Sequence, residues 1–79
     1  RQINMETRAL TFGEKAVGLT FNPSGDERVQ RLKAMYAAII DELNTIQSDR
    51  SEQARLASIA VTEAQGAQMW AVKAAIWCD

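Results

Sequence analysis

Apolar residues recur at alternating intervals of three and four through the middle of this 79-residue chain. The positions that keep the spacing are Val29, Leu32, Tyr36, Ile39, Leu43 and Ile46. Such spacing is typical of the packing face of an α-helix, and it predicts a helix over residues 26–47. Ser24 with Glu27 fits a capping box at the start of this helix, and Asp26 is the alternative N-cap.

A second long helix is predicted over residues 52–77, after the polar segment 48–51, in which Ser51 fits an N-cap. Alanines repeat in it with the same alternating spacing, at Ala57, Ala60, Ala64, Ala67, Ala71 and Ala74. Alanine is the best helix former, but a stripe of it also lets another backbone approach closely. Two long helices joined by so short a turn predict an antiparallel hairpin.

The first 25 residues have a different composition, because they hold the only proline and three of the four glycines. Thr11 with Glu14 fits a capping box and predicts a short helix over residues 12–17. Residues 19–21 are then expected to be extended, since a proline follows shortly after them. The predicted fold is all-α: one helical hairpin domain over residues 1–79, with residues 1–25 as an N-terminal segment and loop.

A chain this small buries too little surface to be comfortably stable alone. Its single cysteine cannot form an intrachain disulfide, and without histidine no structural zinc site is recognisable. Apolar residues flank the alanine stripe on several sides, at Leu56, Ile59, Val61, Met69, Trp70, Val72, Ile76 and Trp77. One partner helix cannot cover all of them, so we expect a homo-oligomeric bundle. The expected interface residues are Ala64, Met69, Trp70, Lys73 and Trp77.

The net charge of −1 argues against binding to a nucleic-acid polymer or to an anionic membrane. No apolar run is long enough to span a bilayer, so a cytoplasmic location is expected. No histidine, nucleotide-binding loop or nucleophile motif suggests catalysis, and the carboxylates Asp41, Glu42 and Glu63 are expected on a solvated helix face. We therefore expect no enzyme, no metal and no cofactor.

The segment Asn22-Pro23-Ser24-Gly25 is the strongest candidate site, because it precedes a long helix whose first N–H groups are free to bind a phosphate. Cations lie on both sides of it, at Arg8, Lys15, Arg28, Arg31 and Lys33. Phe12, Phe21 and Tyr36 supply aromatic faces on which bases could stack. In the alternative interpretation the segment is only a turn with a cap, and the phenylalanines anchor the N-terminal segment to the hairpin.

Three stretches of the chain resemble the hairpin domain shared by phage anti-CBASS sponges and Thoeris anti-defence sponges. They are residues 10–25 (LTFGEKAVGLTFNPSG), the pairs Leu32-Lys33 and Ile40-Asp41, and residues 69–74 (MWAVKA). The resemblance implies a phage protein that sequesters cyclic nucleotide immune messengers in the host bacterial cytoplasm without cleaving them. It leaves open whether the ligand is a cyclic dinucleotide, a cyclic trinucleotide or a cyclic ADP-ribose isomer.

The resemblance also implies a homohexamer with ligand pockets where subunits meet. The ligand-binding residues that it suggests, together with the cations and aromatics above, are Arg8, Phe12, Lys15, Phe21, Asn22, Pro23, Ser24, Gly25, Arg28 and Lys33. The number and kinds of pockets stay open, as does a further domain before Arg1. A structural or assembly hairpin without a ligand is the competing hypothesis, and a small DNA-binding regulator is disfavoured by the charge.

Overall fold

The structure, a computed structural model, describes residues 9–46 and 51–78. In these residues the chain forms three α-helices and no β-strand: α1 spans Phe12–Val17, α2 spans Glu27–Asn44 and α3 spans Glu52–Ala75. Within the same ranges, no helix is long and apolar enough to cross a membrane.

Helix α1 has the bounds that its sequence predicts. The Thr11 hydroxyl accepts a hydrogen bond from the Glu14 N–H at 3.1 Å, and the Thr11 N–H donates to the Glu14 carboxylate at 2.9 Å. Gly18 ends the helix in the left-handed region, at φ 64°, and its N–H donates to the carbonyls of Glu14 and Lys15. Glycine reaches this conformation at little cost, so these local signals are enough to define α1.

The start of α2 corrects the preferred capping assignment. Asp26, the alternative, is the N-cap: its carboxylate accepts from the N–H groups of Arg28 at 2.7 Å and Val29 at 3.3 Å. Ser24 lies two residues before the cap, and its hydroxyl accepts from the Asp26 N–H at 3.1 Å. The helix therefore begins at Glu27, because the charged side chain takes the N–H groups that a cap must satisfy.

The extended conformation predicted for residues 19–21 is wrong. Residues 18–20 form a turn, which the Phe21 N–H closes by donating to the Gly18 carbonyl at 2.9 Å. The left-handed Gly18 redirects the chain here, and the Lys33 ammonium binds the carbonyls at both ends of the turn. The turn thus depends on a residue of α2 that lies far along the chain.

Both long helices end earlier than predicted. Helix α2 ends at Asn44, where the Thr45 N–H donates to the Glu42 carbonyl at 3.2 Å and the Ile46 N–H to the Leu43 carbonyl at 3.0 Å, so the bonds tighten to i→i−3. Helix α3 ends at Ala75, since Ile76 leaves helical geometry at φ −106° and ψ 10°. Its predicted cap is confirmed: the Ser51 hydroxyl accepts from the Ala54 N–H at 3.2 Å. The rest of the predicted polar break, residues 48–50, lies outside the described residues.

Helices α2 and α3 form an antiparallel hairpin, and α1 packs mainly against α2. Val29 near the start of α2 lines the same cavity as Val72 near the end of α3. Further along α2, Ile40 shares the core cluster with Val61 of α3. The buried members of that cluster are Val17, Leu19, Ala37, Ile40 and Val61.

The buried face of α2 is rotated from the predicted one. It runs through Val29, Lys33, Ala37 and Ile40, whereas Ile39 of the predicted seam is 51% exposed. The reason is α1, which packs on the face of α2 that carries Ala37. The Gly13 N–H donates to the Asp41 carboxylate at 2.7 Å, so Asp41 does not lie on a solvated face as expected.

The molecule is a thin slab with principal extents of 42 × 42 × 13 Å. Its radius of gyration is 14.1 Å, against about 12 Å for a compact chain of this length. A slab that is about one helix thick cannot bury both faces of its helices. The described residues accordingly leave large apolar side chains exposed: Phe12, Phe21, Met35, Ile39, Leu56, Ile59, Met69, Trp70, Ile76 and Trp77.

Candidate functional site

A cavity of about 180 Å³ lies between the segment before α2, the start of α2 and the end of α3. Its described lining residues are Phe21, Asn22, Pro23, Ser24, Val29, Lys33, Val72 and Ile76. Residues 21–24, which we call the loop, form one side of the cavity, and the end of α3 forms the other. The loop and Lys33 were predicted to bind a ligand, and the structure brings them together.

The loop is held in a tight turn by its own polar groups. The Gly25 N–H donates to the Asn22 carbonyl at 3.1 Å, and Gly25 has a left-handed φ of 67°. The Ser24 hydroxyl donates to the Asn22 side-chain oxygen at 2.7 Å and accepts from the Asp26 N–H. The asparagine and serine of the predicted site therefore shape the loop, and glycine suits the backbone angle that ends it.

Gln30 joins the loop region to the first turns of α2. Its side-chain amide donates to the Leu19 carbonyl at 3.1 Å, and its oxygen accepts from the Asn22 side chain at 3.3 Å. Gln30 was not among the predicted site residues, since a glutamine on a helix carries no local sign of a distant backbone partner. Its contacts indicate a role in positioning the loop.

Lys33 is the cation of the cavity, and only 6% of it is exposed. Its ammonium donates to the Gly18 carbonyl at 3.1 Å and to the Phe21 carbonyl, and it lies 5.5 Å from the centre of the Phe21 ring. An ammonium has three N–H groups, so one is left without an acceptor among the described residues. A buried charge that is incompletely paired favours an anion or a polar acceptor beside it.

The only ion pair among residues 9–46 and 51–78 joins Arg55 to Glu52 at 2.6 Å, at the start of α3. The Arg55 guanidinium donates hydrogen bonds to the Glu52 carboxylate and lowers its pKa. Both side chains are exposed. No carboxylate of the described chain is paired with Lys33, so its charge is balanced there by backbone carbonyls alone.

The start of α2 differs from the expected phosphate cradle. The Asp26 carboxylate already takes the N–H groups of Arg28 and Val29. The carboxylate places a negative charge where the sequence predicted a phosphate. The electrostatic centre of the cavity is therefore the Lys33 ammonium and not the N-terminus of α2.

The other predicted ligand residues do not line the cavity. Phe12, Lys15, Gly25 and Arg28 are exposed and lie outside the described lining of the cavity. Arg8 lies outside the described residues. Val29, Val72 and Ile76 complete the lining of the cavity but were not among the predicted site residues.

A second, more open cavity of about 330 Å³ is lined by Gly66, Met69, Trp70 and Lys73 of α3. The Lys73 ammonium lies 5.6 Å from the centre of the Trp70 ring. Met69, Trp70, Lys73 and Trp77, four of the predicted interface residues, are exposed in the protomer. The fifth, Ala64, is half-buried and packs against the core cluster of its own chain.

In the described part of the chain, no group of three or more acidic, cysteine or histidine side chains is placed to hold a metal ion. A family model described as "Acb2/Tad1, hairpin domain" matches residues 14–75. The match covers the loop, α2 and α3, and so includes the described lining of the loop cavity except Ile76. No curated protein and no solved structure matches the chain significantly.

Proposed function

The chain belongs to the Acb2/Tad1 family of anti-CBASS and anti-Thoeris sponges, and on this premise we propose that it binds cyclic nucleotide immune messengers without cleaving them. The ligand is a cyclic dinucleotide, a cyclic trinucleotide or a cyclic ADP-ribose isomer. By holding the messenger, a phage protein of this kind keeps the host effector inactive in the cytoplasm of the infected bacterium. A sponge therefore needs tight binding and no chemistry.

The observation that carries this proposal is the buried Lys33 ammonium beside the loop cavity. Cyclic nucleotides carry phosphates, and a cation with one N–H left over suits a phosphate oxygen or a base acceptor. Loss of solvent around Lys33, which is 6% exposed, strengthens its attraction for an anion. Phe21 beside it is largely exposed and offers a ring face for stacking.

Binding without cleavage is consistent with the lining of the cavity. Hydrolysis of a phosphodiester needs a nucleophile with a general base or a metal-bound water. The described lining offers one ammonium, one amide and one hydroxyl, and the Ser24 hydroxyl is engaged within the loop. These groups suit recognition, and the sequence contains no histidine to act as a base.

We propose that the working form is a homo-oligomer, a hexamer by analogy with the family. A slab 13 Å thick cannot cover its own apolar residues, and exposed apolar patches of this extent usually mark association surfaces. Met69, Trp70 and Trp77 are the largest of these on the later part of the chain.

Isothermal titration of the purified chain against cyclic dinucleotides, cyclic trinucleotides and cyclic ADP-ribose isomers tests the proposal. We expect tight binding of at least one of them, with a dissociation constant in the nanomolar range, and recovery of the bound ligand at unchanged mass after heat release. Recovery of a linear product would contradict binding without cleavage. Absence of binding across all three classes would favour the structural hairpin without a ligand.

A further inference from the structure

The loop cavity has a wall that the ligand residues suggested by the sequence do not include. Val72 lies in the last turn of α3 and Ile76 directly follows the helix, and both line the cavity together with Phe21 and Pro23. These four side chains are apolar. A ligand group that enters the cavity is therefore held between the loop and the end of α3.

The size of the cavity limits what enters it. Its volume is about 180 Å³, whereas pockets for complete drug-sized ligands measure roughly 300–1,000 Å³. A whole cyclic dinucleotide does not fit, but one of its ring systems does. The rest of the ligand must lie outside the mouth of the cavity.

The chemistry of the lining selects the base over the phosphate as the group that enters. A phosphate placed against Val72 and Ile76 would lose its hydration without gaining hydrogen bonds there. A nucleobase has apolar faces that suit these side chains and acceptor atoms at its edge that suit the remaining N–H of Lys33. The phosphates then stay at the mouth, close to solvent.

We propose that the cavity holds a single nucleobase of the cyclic nucleotide, and that the side-chain volumes at Val72 and Ile76 determine which bases fit. The inference rests on the proposed function, because it names the part of the messenger that this site recognises. It assigns a specificity role to the end of α3. The loop and Lys33 retain the binding role already given to them.

Ile76 allows a direct test, because it is 48% exposed and larger or smaller side chains at this position leave the core unchanged. The variants are Ile76→Trp, which fills the cavity, and Ile76→Ala, which enlarges it. Ile59→Trp is the matched control: Ile59 is 44% exposed on α3 and lies outside the described lining. The 79-residue chain is titrated with cyclic di-GMP, cyclic di-AMP, cyclic di-UMP and the tightest ligand of the wild type, and its mass is measured by light scattering.

We expect Ile76→Trp to weaken the binding of purine probes at least tenfold and that of cyclic di-UMP less, since a pyrimidine is smaller. Ile76→Ala should reduce the difference in affinity between purine and pyrimidine probes. Ile59→Trp should bind every probe with the affinity of the wild type. Equal affinities and preferences in the wild type and both Ile76 variants would overturn the inference while leaving the proposed function in place. A wild type that binds no probe would overturn both.

If Ile76→Trp alters the mass of the assembly, Val72→Ala tests the inference by enlarging the cavity where Ile76→Trp fills it. The substitution removes volume from the same wall. We expect it to reduce the difference in affinity between purine and pyrimidine probes while the mass of the assembly stays that of the wild type. Unchanged preference in Val72→Ala would again overturn the inference.

Discussion

The Asp41 carboxylate accepts a hydrogen bond from the Gly13 N–H at 2.7 Å, across 28 positions of the chain. This contact joins the first turn of α1 to α2. Beside it, the backbone of α1 at Gly13 packs directly against the backbone of α2 at Ala37. A Cβ atom built on Gly13 would lie 2.1 Å from the Ala37 carbonyl oxygen. The first turn of α1 is therefore attached to α2 by one charged acceptor and one close backbone approach.

Replacing Asp41 by alanine should loosen α1 from α2. The substitution leaves the Gly13 N–H without its acceptor at a partly buried position. Hydrogen bonds to charged groups contribute about 1.5–3 kcal/mol, so we expect the free energy of unfolding to fall by about that amount in a urea titration. Asp41→Asn retains an oxygen acceptor, so its free energy of unfolding should fall by less. Equal stability of Asp41→Ala and the wild type would contradict the anchoring role.

Two glycine-to-alanine substitutions should change stability in opposite directions. Gly13→Ala forces its methyl group against the Ala37 backbone and should cost about 1–3 kcal/mol or more, as overpacking does. Gly66 lies inside α3 with nothing within 4 Å of an added Cβ. Gly66→Ala should stabilise the protein by about 0.5–1 kcal/mol, because alanine loses less backbone entropy in a helix. Thermal unfolding of both variants followed by circular dichroism checks the two signs.

Features that depend on neighbouring residues could be predicted from the sequence. Thr11 and Glu14 form the capping box that their spacing indicates, and Gly18 ends α1 in the left-handed region. The hydroxyl of Ser51 caps α3 for the same reason. At the start of α2, Ser24 and Asp26 compete for the cap, and sequence alone did not decide between them.

Features that depend on tertiary packing could not be predicted. Lys33 was identified as a cation near the loop, but its burial and its bonds to the Gly18 and Phe21 carbonyls arise only when α1 and the loop pack on α2. Ile76 lines the cavity because the hairpin brings the end of α3 back beside the loop. Periodicity alone also predicted a buried face of α2 that includes Ile39, which is exposed in the structure. The spacing of apolar residues does not show which side of α2 is covered by α1.

Lys33→Met should weaken messenger binding at least thirtyfold and leave the chain folded. Methionine keeps the apolar stem that packs between α2 and the loop, but removes the ammonium and its contacts. A charge-assisted contact of about 2 kcal/mol or more corresponds to that loss of affinity. We expect the free energy of unfolding to change by no more than about 3 kcal/mol, since the two carbonyls lose a donor.

The matched control for Lys33 is Arg31→Met, which removes an exposed cation from the same helix outside the described lining of the cavity. It should bind the messenger within a few-fold of the wild type at physiological salt, where exposed charges are screened. Titration calorimetry of both variants measures the affinities. Equal losses in the two variants would show that net charge, and not the buried ammonium, governs binding.

Trp70→Ala should dissociate the assembly without unfolding the protomer. Trp70 is 72% exposed in the single chain, so the fold of the protomer depends little on this side chain. At an interface a buried tryptophan contributes about 2 kcal/mol or more, which corresponds to roughly thirtyfold weaker association for each copy of the contact. Light scattering across a concentration series should show a lower mass for Trp70→Ala at unchanged helical content, whereas Trp70→Phe, which keeps a large apolar ring, should stay assembled. A Trp70→Ala variant with the wild-type mass at every concentration would place the association surface elsewhere on the slab.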